Sequence, residues 1–245
     1  MVNAASALAV ALPLYNWPSS GAWDPVYDTI SNHPSTTFNI IVNPDSGPGS
    51  FPPNSDYRAG VAQLNSYDNV NLFGYVHTSF TGRPVEDVAA DVKTYASWET
   101  YEGSNLHLEG VFVDEAPDNN YDNGVQYMSD LATQIYNIMP EGNLIWTNPG
   151  CVVQEAYYDH ADIITAFEDT FSYWISPSRP AIPDHVHNKT SVMITDFTGA
   201  EAGISSEVET LLGRGFHSAL MFGTVGYQGF STVWGQFAEA VTAAV

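Results

Sequence analysis

The chain has 245 residues, of which 44% are hydrophobic, enough to fill the core of one domain of barrel size. Its 28 acidic residues face only 6 basic ones, a formal net charge of -22, which excludes nucleic acid and an anionic membrane surface as expected partners. A neutral or cationic substrate suits this field, and plain solubility accounts for it equally well.

The single cysteine, Cys151, excludes an internal disulfide and thiol-rich metal sites, and reads as a buried free thiol. No apolar run reaches membrane-spanning length. The run from Ala4 to Leu14 has the length of a signal core but lacks a basic stretch before it, so it reads as the first strand, with any export signal already removed. The sequon Asn188-Lys189-Thr190, scarce Lys and abundant Tyr, Trp, Ser and Thr point to a secreted or cell-surface protein.

In chain order, strands are expected at Leu8–Tyr15 and Phe38–Asn43, then a helix at Asp56–Leu64 and a strand at Asn71–His77. The clearest helix is Val85–Tyr101, with Val85, Val88, Val92, Tyr95 and Trp98 at helical spacing and Pro84 at its start. Next come a strand at Glu109–Asp114, a helix at Gly124–Met139 stopped by Pro140, and a strand at Asn143–Thr147. The stretch around Glu155–His160 is short. A strand at Ile163–Phe167 leads into a Pro-rich loop with a small helix between Tyr173 and Asn188. Strands at Ser191–Thr195 and His217–Phe222 flank a helix at Ser205–Leu212, and Thr232–Ala244 closes the chain as a helix. Most strands are continuously apolar, as strands covered on both faces should be. Eight βα units without a linker or repeat predict a single (β/α)8 TIM barrel over the whole chain, 1–245. A doubly wound sheet is the alternative, but Tyr15-Asn16-Trp17-Pro18 is no dinucleotide-binding turn.

In such a barrel, reactive groups sit just past the C-terminal ends of the strands. In order, those ends hold Tyr15, Asn16 and Trp17; Asn43, Pro44 and Asp45; Tyr75, His77 and Thr78; Asp114 and Glu115; Thr147 and Asn148; Glu168 and Asp169; Asp196 and Phe197; Gly223 and Thr224. No Lys or Arg is among them. Phosphate chemistry, a Schiff-base lysine and, without a G-x-S-x-G elbow, a serine nucleophile are therefore all disfavoured. Glycosidic cleavage instead needs two carboxyl groups flanking the bond. Asp114-Glu115 after the fourth strand and Glu168 after the sixth could face one another across the fifth. Each alone reads as readily as a helix cap or a surface acid. Tyr15, Trp17, Tyr75, Trp174 and Tyr227 could stack on sugar faces or pack as core. Asn43, His77, Asn148 and Asp196 are further candidate substrate contacts. His185 and His187 read as solvated rather than as metal ligands. No metal and no cofactor is expected, although Asp114, Glu115, Glu168 and Asp196 could in principle serve as oxygen ligands of a metal-dependent enzyme.

The segment Gly110-Val111-Phe112-Val113-Asp114-Glu115-Ala116-Pro117, with Pro13-Leu14-Tyr15 and Phe38–Pro44, resembles the spherulation-specific family 4, or spherulin-4-like, proteins, which include glycoside hydrolase family 135. The resemblance runs over nearly the whole chain. It implies a (β/α)8 fold, secretion and endo-hydrolysis of α-1,4-linked N-acetylgalactosamine in galactosaminogalactan, a partly cationic polysaccharide. The family's three functional carboxylates fall on Asp114, Glu115 and Glu168. The roles so implied are Asp114 as nucleophile, Glu168 as general acid/base and Glu115 as support, with exchange between Asp114 and Glu115 open. A monomer acting on a polysaccharide is expected. A non-catalytic polysaccharide-binding surface protein is the competing reading.

Overall fold

The computed structural model describes residues 7–227, 230 and 232–244. Its eight strands are β1 (Ala9–Leu14), β2 (Phe38–Val42), β3 (Val70–His77), β4 (Gly110–Asp114), β5 (Leu144–Thr147), β6 (Ile163–Thr170), β7 (Thr190–Thr195) and β8 (Ser218–Met221). All pair in parallel and in sequence order, and β1 meets β8 to close the barrel. The expected TIM barrel is therefore the observed fold.

The helices are α1 (Asp24–Asn32), α2 (Ser55–Leu64), α3 (Val85–Trp98), α4 (Gly124–Ile138), α5 (Phe171–Trp174), α6 (Glu201–Gly213) and α7 (Thr232–Ala244). Helix α3 starts after Pro84, carries Glu86 and Asp87 in its first turn where the helix dipole favours anions, and buries Val88, Val92, Tyr95 and Trp98. Helix α1 is an addition to the expected elements. It buries only Val26 and Ile30, too few apolar positions to mark a periodic face.

Alternation along the strands sorts residues between the inside of the barrel and the helices. On β3, Gly74 faces outward, where an added Cβ would lie 2.8 Å from the Tyr95 ring of α3. Phe73 and Tyr75 face inward. Phe73 and Phe112 both pack edge-on against Trp146, at centroid distances of 5.4 and 5.2 Å, and Trp146 donates its indole N–H to Thr165 Oγ1. This aromatic plug fills the barrel's middle and leaves the C-terminal end as the open mouth.

Strand β6 departs from the expected pattern in a way that matters. It runs three residues past the expected end at Phe167, so Glu168 lies within the strand rather than beyond it. Thr165 pairs with Ser191 but Phe167 pairs with Val192, a one-residue slip that leaves Ala166 extra. Strict alternation from the inward Thr165 would point Glu168 outward. The bulge reverses the phase, so that Glu168 joins Thr165 on the inner face.

Candidate active site

Asp114 ends β4, with its Cα in register with His77 of β3. Its Oδ2 accepts the Tyr75 hydroxyl at 2.7 Å, and its Oδ1 accepts Asn148 Nδ2 at 2.9 Å. The same Asn148 nitrogen donates to Glu168 Oε2 at 2.5 Å, while Tyr227 donates its hydroxyl to Glu168 Oε1 at 2.6 Å. One amide thus holds both carboxylates. Its own oxygen accepts the Gly150 amide at 3.1 Å, which fixes which end of the side chain faces the acids. Asn148 is placed by backbone bonds from its N–H to Val113 and to its carbonyl from Ala116.

The two acids differ in surroundings. Burial pushes the Glu168 carboxyl above the ordinary glutamate range, and the charge of Asp114 adds to the rise; the Tyr227 and Asn148 hydrogen bonds pull it down without cancelling it. Both phenols are held protonated: burial first, and then the charge of the acid each serves, raises Tyr75 and Tyr227. Tyr15 completes the wall. Its ring meets Tyr75 edge-on at 5.6 Å and Tyr227 at 5.8 Å, and burial followed by the Asp114 charge keeps its hydroxyl protonated. A cavity of about 330 Å³ adjoins Glu168, lined also by Asp169, Thr195 and Tyr227.

Glu115 is turned differently. Its backbone is left-handed, φ 49, a conformation that costs a non-glycine residue about 1–3 kcal/mol and tends to persist at functional sites. Its carboxylate lies 3.5 Å from His77 Nδ1, which also meets Ser79 Oγ at 3.3 Å. Its carbonyl accepts the Thr78 hydroxyl at 2.6 Å and the Phe80 amide at 2.8 Å.

The structure therefore gathers Tyr15, Tyr75, Asp114, Asn148 and Glu168 into one cluster, with His77 and Glu115 beside it. It does not gather Asn43, whose side chain accepts the Gly47 amide and serves its own turn. Asp196 is exposed, with φ 53, and no side-chain contact joins it to the cluster. Among the described residues no three His, Cys, Asp or Glu converge as metal ligands, so the four acids considered for that role do not form a set. Trp17 is open to solvent, with its indole bonded to Asp56 Oδ2 beside a separate cavity of about 280 Å³. Trp174 is no sugar platform: it is buried, bonded to Glu207, and covered by Arg179 at 4.0 Å. His187 is buried against Phe216 rather than solvated, and Cys151 is half-buried rather than buried, its thiol pushed up to about 11 chiefly by burial. Arg83 lies nearer the mouth than its helix-start position suggests, because it donates to the His77 carbonyl. Tyr75 and Tyr227 are hydrogen-bond donors to the acids rather than stacking faces. A tyrosine five residues past the expected end of the eighth strand was the only signal for Tyr227, and it does not reveal that role.

The profile of spherulation-specific family 4 matches residues 9–241.

The chain belongs to that family.

Spherulin-4 of Physarum polycephalum is 30% identical over 219 residues, which cover 85% of this chain and 61% of that protein. The chain thus spans less than two thirds of its relative's length. Among solved structures, Aspergillus clavatus Sph3, determined in complex with GalNAc, superposes with a TM-score of 0.84 at 27% identity, covering 97% of this chain and 98% of that one. A Bacteroides thetaiotaomicron chitinase superposes at 0.58 with 10% identity over 97% of this chain and 96% of its own, a likeness of fold alone. Spherulation-specific family 4 thus shares its barrel with sugar-processing enzymes. No helix among the described residues is long and apolar enough to cross a membrane.

Proposed function

We propose that the chain is a glycoside hydrolase that cleaves α-1,4-linked N-acetylgalactosamine within a galactosaminogalactan-type polysaccharide. The observation that carries this reading is the Asn148 amide, which holds Asp114 and Glu168 together at the mouth of a barrel. The likeness to Sph3, which binds GalNAc, supports the choice of sugar.

In this mechanism Glu168 is the general acid/base. Its raised pKa favours the protonated form from which it donates to the glycosidic oxygen as the C1–O bond breaks. Asp114 attacks C1, its charge oriented by Tyr75 and Asn148, and forms a glycosyl-enzyme ester. Glu168, now a carboxylate, takes a proton from water; the water oxygen attacks C1 and releases Asp114. The spacing supports retention. The nearest oxygens of the two acids can be no farther apart than the two Asn148 hydrogen bonds laid end to end, which is closer to the ~5–5.5 Å of retaining enzymes than to the ~6.5–9.5 Å that leaves room for water. Glu115, tied to His77, supports the substrate at the next position along the wall. Export from the cell belongs to the same proposal, supported by the exposed Asn188 sequon and a polymeric substrate.

Incubation with purified galactosaminogalactan, followed by mass analysis, tests it. Released oligosaccharides, lost in Glu168→Gln, are the expected result. Polymer that is bound but never shortened would leave a sugar-binding protein in place of an enzyme.

A further inference from the structure

Beyond the acids, the same wall of the mouth carries two exposed aromatic rings. Phe80, in the loop after β3, and Tyr121, in the loop after β4, stack nearly parallel, 7° between planes and 5.9 Å between centroids, and both remain open to solvent. The backbone conformation around Phe80 is costly. Ser79, Phe80 and Thr81 are three consecutive left-handed residues, φ 48, 56 and 83, none of them glycine. The loop is held there by Gly82 N–H to Ser79 O at 2.8 Å and by Phe80 N–H to the Glu115 carbonyl at 2.8 Å. Tyr121 is equally fixed. Asp118 accepts the Asn120 amide at 2.8 Å in a tight turn, its carbonyl accepts the Tyr157 hydroxyl at 2.8 Å, and the Tyr121 carbonyl accepts the Gly124 amide at 2.9 Å. Two loops on different strands thus spend backbone strain and hydrogen bonds to keep an apolar face in water.

We propose that the Phe80–Tyr121 pair is a stacking subsite for one sugar ring of a bound polysaccharide, on the Glu115 side of the bond that is cleaved. The inference rests on the glycosidase reading for the identity of the polymer. A stack of two near-parallel rings leaves an outer aromatic face toward solvent, and such a face suits the C–H face of a pyranose, as aromatic faces suit apolar C–H groups in general. The patch is only two rings wide and is flanked by Ser79, Thr81 and Asn120, too small and too polar-edged for a protein interface. Its link to the acids is direct: the Glu115 carbonyl that receives Phe80 belongs to the residue next to Asp114.

The test is binding of galactosaminogalactan, by affinity electrophoresis, to Glu168→Gln and to the same variant carrying Phe80→Ala and Tyr121→Ala. Loss of affinity by about tenfold is expected. In the active parent, the double alanine change should raise KM for the polymer about tenfold more than KM for a short oligomer. Because any flat aromatic face should serve, Tyr121→Trp should keep the affinity, a result that a merely structural loop would not predict. A folded double variant with unchanged affinity overturns the subsite. Should the parent bind polymer without cleaving it and the double variant lose that binding, the hydrolase reading falls and the subsite stands. If the parent neither binds nor cleaves the polymer, both fall.

Discussion

Tyr227, from the loop after β8, donates its phenolic proton to Glu168 at 2.6 Å and lowers the pKa of a carboxyl that burial raises. The loop that follows the last strand therefore adjusts the acid held on the sixth. Tyr227→Phe removes the donor and keeps the ring. Glu168 should then hold its proton to higher pH, and the alkaline limb of the pH–kcat profile should move up by about one unit. Profiles of the two proteins that overlay on the alkaline side would show that Glu168 is not the acid being titrated.

Glu168→Gln should lower kcat by about 10²- to 10⁴-fold, the usual contribution of a positioned acid/base. It should also change stability with a definite sign. The folded pKa of Glu168 lies above its unfolded value, so its contribution to stability is complete below the ordinary glutamate range and is lost as pH rises through the folded value. The parent should therefore lose Tm relative to Glu168→Gln as pH rises through that window. Melting curves that stay a constant distance apart from acid to neutral pH would contradict the burial of this charge.

Asn148 donates from one amide nitrogen to both acids. Asn148→Ala should reduce kcat about 10²-fold by loosening their alignment. Asn148→Asp keeps the shape but places a third carboxylate between the two, and should be worse than alanine in both kcat and neutral-pH stability. An aspartate variant more active than the alanine variant would mean that shape, not donation, is what this position supplies.

Gly110 opens β4, and a Cβ there would lie 2.0 Å from the Leu144 carbonyl oxygen of β5. The obstacle is backbone, so relief requires the strands to part. Gly110→Ala should cost on the order of 1–3 kcal/mol, the usual range for overpacking, and lower Tm at every pH. A variant that melts with the parent would show that β4 and β5 can shift apart freely at their lower edge.

Much of this was legible in the letters, for identifiable reasons. Strands covered on both sides read as apolar runs, so all eight strands were recoverable to within a few residues at each end, and Asp114 was visible as the charge on which one of them ends. Asn148 was legible as a polar residue at a strand end, but not as a bridge, because that role depends on Asp114 and Glu168 lying to either side. Helix α1 was silent because two buried residues do not make a period. Trp174 was left between stacking and packing because composition cannot tell an aromatic beneath a guanidinium from one facing water. Phe80 was invisible as an exposed group, since nothing in Ser79-Phe80-Thr81 announces three left-handed residues.

The extra residue in β6 has a reach beyond local geometry. Removing Ala166 would straighten the strand and send the neighbouring acid toward the helices, with every other letter unchanged. Two members of such a family could then align almost perfectly, keep every acid in the same column, and still differ in whether the reaction can occur. For the reaction proposed above, the spacing around this position matters as much as the glutamate itself.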